Sequence, residues 1–448
     1  MTTASADDVR SAVEHLGRWA SGLRWADVPA GARDRLGLVL LDVIGVGVLG
    51  ARQDAQRRLV EAWSPPEGPA PLFGAGRTTT VDAAAWLGAT ALVRLELDEG
   101  HKFAKGHPAA HGFPAVLALA AERGATGADT AAALLVAYEV AARFGRATRL
   151  RPGSHPHGNW GVAGAAAGCA RLLGLGPEAT AAAIDTGGGL PVAGHFDSAL
   201  DGNPVRDAWV GAANVSGLAA ARMALAGIAR TTGTAAGSLG TLLGELDPAL
   251  LDEALGQRWD VEHGYVKRHA SCSFTHAAVD AALELRAGVE IDLIEHVLVE
   301  THSLASGLDR TVWDSALGAM FSLPFTVATA LRHGSLDPSA LTESALADPG
   351  TAALAARVEV AAAPDLDARL PAERPARVTV RWAGREAVVE TPNPVGDVAH
   401  RPFTADALQT LLADLLDDRD LVERIRRVCD ALPGLDDVGP ALRGLATL

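Results

Sequence analysis

From Ser5 to about Asp260 the chain is a succession of Ala, Leu and Gly-rich segments, each of helical length and each ended by a short turn bearing Gly, Pro or Asp. This pattern predicts helices near residues 30–49, 108–123, 130–149, 161–173, 177–188 and 209–226. Runs such as GVAGAAAGCA place small residues where helices meet, so their backbones can pack closely. Between about residues 262 and 395 the pattern changes. HVLVETHS, ARVEVAAA, ARVTVRWA and EAVVETPN are short β-branched runs with partial alternation, which predict strands. Ala383-Gly384-Arg385 predicts a hairpin turn between two of them, and 273–286 and 325–333 read as helices. After Pro402 helical periodicity returns, with Thr404 as the N-cap. The expected fold class is mainly α: residues 1–262 and 396–448 form a large helical domain, and 263–395 form an inserted, smaller α+β domain.

A length of 448 residues supports a sizeable core, and 48% hydrophobic with 21% charged residues is an ordinary globular balance. Thirty-nine Lys and Arg against 54 Asp and Glu give a net charge of -15, so no general basic surface exists and nucleic acid is excluded as a partner. An anionic ligand would then need a local concentration of cations. The start MTTASADDVR lacks a basic region followed by an apolar run, and apolar stretches such as 36–49 are too short for a bilayer and are interrupted by Asp42. A cytoplasmic protein with no membrane partner is expected. Three widely separated cysteines, Cys169, Cys272 and Cys429, fit a reducing compartment without a disulfide framework.

Four windows concentrate polar chemistry. LELDEGHKFAKGHPAAHG, residues 95–112, gathers Asp98, Glu99, His101, Lys102, Lys105, His107 and His111. Pro108 at a first helical position would put His107 at the cap of the following helix, beside its partly positive end. A solvated loop is the plainer reading. RPGSHPHGNWGVAGAAAGCA places His155 and His157 in a turn before a small-residue helix, where a histidine is more often a cap or surface group. DGNPVRDAWVGAANVSG puts Arg206 before another helix, as a carboxylate clamp or as a salt bridge to Asp201 or Asp207. YVKRHASCSFTHAAVDAALEL brings Lys267, Arg268, His269, Cys272 and His276 to a helix start near the domain boundary, a preferred place for ligands. Cys272 is either a thiolate acidified by Lys and His or a small buried residue. HExxH, GxSxG, GxGxxG and the phosphate-binding GxxxxGK[ST] are absent, so no metal or cofactor is called for.

These windows, in this order, resemble the signature segments of the MmgE/PrpD family. That family includes 2-methylcitrate dehydratase, cis-aconitate decarboxylase and iminodisuccinate epimerase. LDEGHKFAKGHPAA is similar to the family's LDxDD followed by HPS or HPA, which matches Asp98 and His107 to an active-site aspartate and histidine. GSHPHGNWGVAGAAA resembles GxHxxG and selects His155; KRHASCSFTHAAVDA resembles KxYPCCxxTHxxxDA and selects Lys267 and Cys272. RDAWVGAANVSGLAAARMA matches a segment in which the family carries lysine and histidine, here Arg206 and Trp209. SLPF at 322–325 and TPNPVGDVAHRPFT are weaker matches.

The resemblance implies a helical domain with an α+β lid, usually a homodimer, acting without a cofactor on a small anionic carboxylate. It implies a lyase that removes water from a hydroxylated di- or tricarboxylate. Asp98, His107, His155, Lys267 and Cys272 are the catalytic candidates, and Lys102, Arg206, His101, Arg268 and His269 the substrate-binding ones. Asp98 or a neutral His155 takes the proton, and protonated His107 gives one to the departing hydroxyl. The same pocket fits a cis-aconitate-type decarboxylase or an iminodisuccinate-type epimerase. The departures at Arg206 and Trp209 leave a non-catalytic carboxylate-binding protein as the remaining alternative.

Overall fold

The computed structural model describes residues 4–446 and is mainly helical. At its centre the helix Gly127–Ala147 is buried along almost its whole length. It packs against Val162–Leu172, which in turn packs against Pro177–Gly188 and Val205–Leu225. Small residues make these approaches possible. A Cβ on Gly217 would lie 2.3 Å from that of Ala165, so any side chain there forces two core helices apart. Helix starts follow local chemistry: the side chains of Ser5, Thr80, Thr126 and Thr404 each accept a backbone N–H three residues on.

Two expected starts are displaced: the helix read from 209 begins at Val205, which puts Arg206 inside it and not before it. The helix read from 108 begins at Phe113, and residues 108–112 form turns. Side chains take over the backbone groups there: Glu99 accepts the N–H of Ala109, and His111 Nδ1 bonds the carbonyl of His107 at 2.7 Å. His107 is therefore not a helix cap; it lies in a loop fixed from both sides.

The four predicted strands make one sheet, in the order Arg385–Thr391, Ala376–Trp382, Ile294–Thr301, Val358–Ala362. The first two pairs are antiparallel, and Ile294–Thr301 runs parallel to Val358–Ala362 through a helical crossover. Ala383 and Gly384, both at positive φ (47° and 71°), close the hairpin as a two-residue turn. Helices His276–Leu285 and Leu323–His333 pack on this sheet. The last helices return to the helical part: Ala405–Leu416 and Arg419–Ala431 lie on Ala30–Ala51, and Gly439–Ala446 lies on Phe113–Arg123. Among the described residues no helix is long and apolar enough to cross a membrane.

The two parts are stitched by a short antiparallel pair, Gly100–His101 with Gly264–Tyr265. A Cβ on Gly100 would sit 2.3 Å from the Tyr265 hydroxyl, so only glycine lets that ring close over the loop leading to His107. The cleft opens beside this seam.

Candidate active site

The helical part contributes Glu96, His107, His155 and Phe196 to a narrow cleft, and the sheet-bearing part contributes Tyr265, Cys272, Ser273, Phe321 and Arg374. His107 is held at one nitrogen. Its Nδ1 lies 2.6 Å from the carbonyl of Glu99 and 2.9 Å from Asp98 Oδ2. Both neighbours are acceptors, so Nδ1 carries the hydrogen and Nε2 is the nitrogen left for the cleft. His155 has the opposite tautomer: its Nδ1 accepts the N–H of His157 at 3.1 Å, which leaves Nε2 as a donor. Burial, Arg206 and His107 push His155 well below the usual imidazole range, so it stays neutral. The geometry thus leaves Nε2 of His107 clear of the contacts that hold its Nδ1, and makes Nε2 of His155 a hydrogen-bond donor.

His111 ties their loops together. Its Nδ1 bonds the His107 carbonyl and its Nε2 accepts the N–H of Gly158 at 3.0 Å, so both nitrogens are used in the neutral ring. Burial lowers it to about 4, in keeping with that role.

Behind His107 lies a buried ion network. Lys267 Nζ is 2.9 Å from Glu96 Oε2 and 3.5 Å from Asp98 Oδ1, and Arg206 pairs with Glu96 and with Asp207. Burial works to raise Asp98, but His107 and Lys267 beside it hold the carboxyl below its ordinary range. Burial likewise disfavours the charge on Lys267, and Asp98 and Glu96 outweigh it and raise the ammonium. Two further carboxyls behave oppositely. Burial and the neighbouring Asp98 push Asp42 up to about 8, and burial pushes Glu99 well above its usual range, so both stay protonated near neutral pH. Of the carboxyls around His107, the ones left to carry charge are thereby Asp98 and Glu96, with Asp207 paired to Arg206 and Arg94 at the edge of the network. Glu96 itself has φ 51°, a strained backbone conformation held at the cleft wall by its two cations.

The structure brings together only part of the set read from sequence. His107, His155 and Cys272 line the cleft, with Asp98 and Lys267 directly behind His107. The five residues expected to bind substrate do not line it. His101 is fully buried, with Nδ1 accepting from Ala104 and Nε2 on the carbonyl of Asp260. Lys102 is neutralised by Asp397 at 3.0 Å, and Arg206 by Glu96 and Asp207. Arg268 and His269 both face Asp280 and border a different hollow, beside Leu336 and Leu411. Lys102 and Arg206 spend their charge on carboxylates far along the chain, Asp397 and Glu96; Arg268 and His269 meet Asp280 of their own window, and His101 is a neutral ring used in backbone bonds. Tyr265, Ser273, Phe196, Phe321 and Arg374 were missed; Tyr265 and Ser273 lie inside the fourth window, but Arg374 carries no motif.

Cys272 lines the cleft without being a thiolate: burial, with Glu96 nearby, pushes its thiol up to about 12. Cys272→Ala is expected to keep turnover within about threefold of the parent, whereas loss of a covalent nucleophile would abolish it. Steady-state kinetics on the purified variant decide this. Among the described residues no group of three or more His, Cys, Asp or Glu is placed to hold a metal ion.

A mainly helical protein with an aspartate-backed histidine at the seam of two parts is a scaffold for acid–base chemistry. Comparison with known proteins specifies it further. Residues 14–242 match the MmgE/PrpD N-terminal domain and residues 269–429 the MmgE/PrpD C-terminal domain, and the chain belongs to the MmgE/PrpD family. It is 27% identical over 310 residues to a cis-aconitate decarboxylase-like protein, oryM, of Aspergillus oryzae, covering 64% of each chain. It is 30% identical over 310 residues to a cis-aconitate decarboxylase of Aspergillus terreus, covering 64% of this chain and 63% of that one. The matched stretch thus spans less than two thirds of those relatives.

Proposed function

We propose that the cleft is the active site of a lyase that needs no cofactor and acts on a small polycarboxylate, and that the bond it breaks is one to a carboxylate. The observation that carries this is the Asp98–His107 pair, with Nδ1 of the imidazole pinned and Nε2 turned to the cleft. Decarboxylation of a β,γ-unsaturated carboxylate breaks one carbon–carbon bond and moves its electron pair into a new double bond. The former π pair is left on a carbon that must take a proton. One proton carrier suffices, and protonated His107 supplies it while ionised Asp98 steadies its charge. The departing carboxylate loses its charge as carbon dioxide, which an apolar wall favours. Phe196 and Phe321, with ring centroids 6.0 Å apart, form such a wall. The names of the Aspergillus relatives support the same class of reaction.

Loss of water from a hydroxylated polycarboxylate is the second reading. It needs a proton taken from carbon and another given to hydroxide. Tyr265, kept protonated by burial, lines the cleft as an O–H donor besides His107 and His155.

The test is incubation of the protein with cis-aconitate, citrate, 2-methylcitrate and iminodisuccinate in deuterium oxide, followed by proton NMR and carbon dioxide release. Carbon dioxide with one solvent deuterium in the product supports decarboxylation. New vinyl signals without carbon dioxide establish dehydration instead, and deuterium uptake alone establishes epimerisation. No change in any substrate, with binding retained, turns the reading to a carboxylate-binding protein.

A further inference from the structure

Around the cleft, the charges can be accounted for residue by residue. Lys267 and Arg206 share Glu96, Asp98 and Asp207, and Lys102 has Asp397. Lys105 also borders the cleft, but it is exposed and bonds the Thr148 carbonyl. Lys105 thus also bonds only a neutral oxygen, and what sets Arg374 apart from all of these is that it is both buried and without a carboxylate partner. It is only 7% exposed, and its partners are neutral oxygens: Ser273 Oγ at 3.2 Å, Tyr265 Oη at 3.5 Å and the carbonyl of Lys102 at 3.1 Å. No carboxylate pairs with it among the described residues. A guanidinium buried without a counter-charge is costly, and the cost is relieved when an anion enters.

The group is also held still. Its carbon lies 5.1 Å from the Phe274 centroid and 5.6 Å from that of Tyr265, and the Arg374 backbone N–H donates to Asn393 Oδ1 at 3.0 Å. A fixed planar fork matches a carboxylate in two parallel hydrogen bonds.

We propose that Arg374, oriented by Tyr265 and Ser273, is the subsite that holds a non-reacting carboxylate of the substrate. It takes the role expected of Arg206, and it holds the substrate from the sheet-bearing side while His107 works from the helical side. This rests on the reading of the cleft as a substrate site, and it is separable from the reaction assigned there.

The experiment uses tricarballylate, a saturated tricarboxylate that offers neither a double bond nor a hydroxyl to react, with calorimetric titration of the full-length protein. Arg374→Met is expected to weaken its binding at least about 30-fold, and Arg374→Lys to recover part of that. Unchanged affinity in a folded Arg374→Met protein, or no binding to the parent protein, overturns the subsite. Should Arg374→Met fail to fold, Tyr265→Phe and Ser273→Ala each remove one bond to the fork and should weaken binding about threefold or more. Unchanged affinity in both overturns it equally. If tricarballylate binding depends on Arg374 while no candidate substrate turns over, the subsite stands and the lyase reading falls.

Discussion

His107→Asn is expected to lower turnover about 10²- to 10⁴-fold while leaving the fold intact. Asparagine can keep the short donor contact that Nδ1 makes to the Glu99 carbonyl, so the loop retains its anchor, but it has nothing at the position of Nε2. Asp98→Asn removes the charge that faces the imidazole at 2.9 Å and should also slow the reaction, through His107. The two residues act as one unit. The double variant is therefore expected to be about as slow as His107→Asn alone, since a unit that has lost its proton carrier has little left to lose. Single-turnover measurements on the three variants check this. Fully multiplicative losses would mean that Asp98 acts on the substrate independently of His107.

The parts of this site that were legible in the sequence are those whose chemistry is local. Asp98 and His107 are nine positions apart in one window, and the loop between them closes on itself through Glu99, so a short motif captures the pair. The helices were legible because a small-residue core imposes a strong period, and the strands because β-branched runs stand out against it. What sequence could not show is which cations remain free. Lys102 meets Asp397 and Lys267 meets Glu96 across 295 and 171 positions, and those pairings turn apparent ligand-binding groups into internal counter-charges. Arg374 was hidden for the converse reason: Glu373 precedes it in the chain, but that carboxylate pairs with Arg369, and only the fold reveals that no carboxylate pairs with Arg374 among the described residues. The displaced helix start at Phe113 has a related cause, because side chains of Glu99 and His111 capture backbone groups that Pro108 would otherwise have led into a helix.

Lys267→Met should destabilise the protein by about 3–5 kcal/mol at neutral pH, the range seen when one partner of a buried ion network is removed. Lys267 is 1% exposed and stands between Glu96 and Asp98, so methionine fills much of the volume but leaves their charge short of one cation. The sign of the pH dependence follows from those two carboxyls. Both are held below their ordinary values of 4.5 and 3.8 in the folded chain, burial opposing the shift and Arg206, Lys267 and His107 imposing it. Their contribution to stability is present above those ordinary values and is lost as pH falls through the depressed folded values. Without Lys267 the depression shrinks, so the deficit of the variant is greatest above about pH 5 and narrows toward acid. Adding Glu96→Gln to Lys267→Met removes the surplus charge and should recover part of the loss. Denaturant unfolding at neutral and at acid pH distinguishes this from packing: a deficit equal at both, and not relieved by Glu96→Gln, would assign the role of Lys267 to its stem and not to its charge.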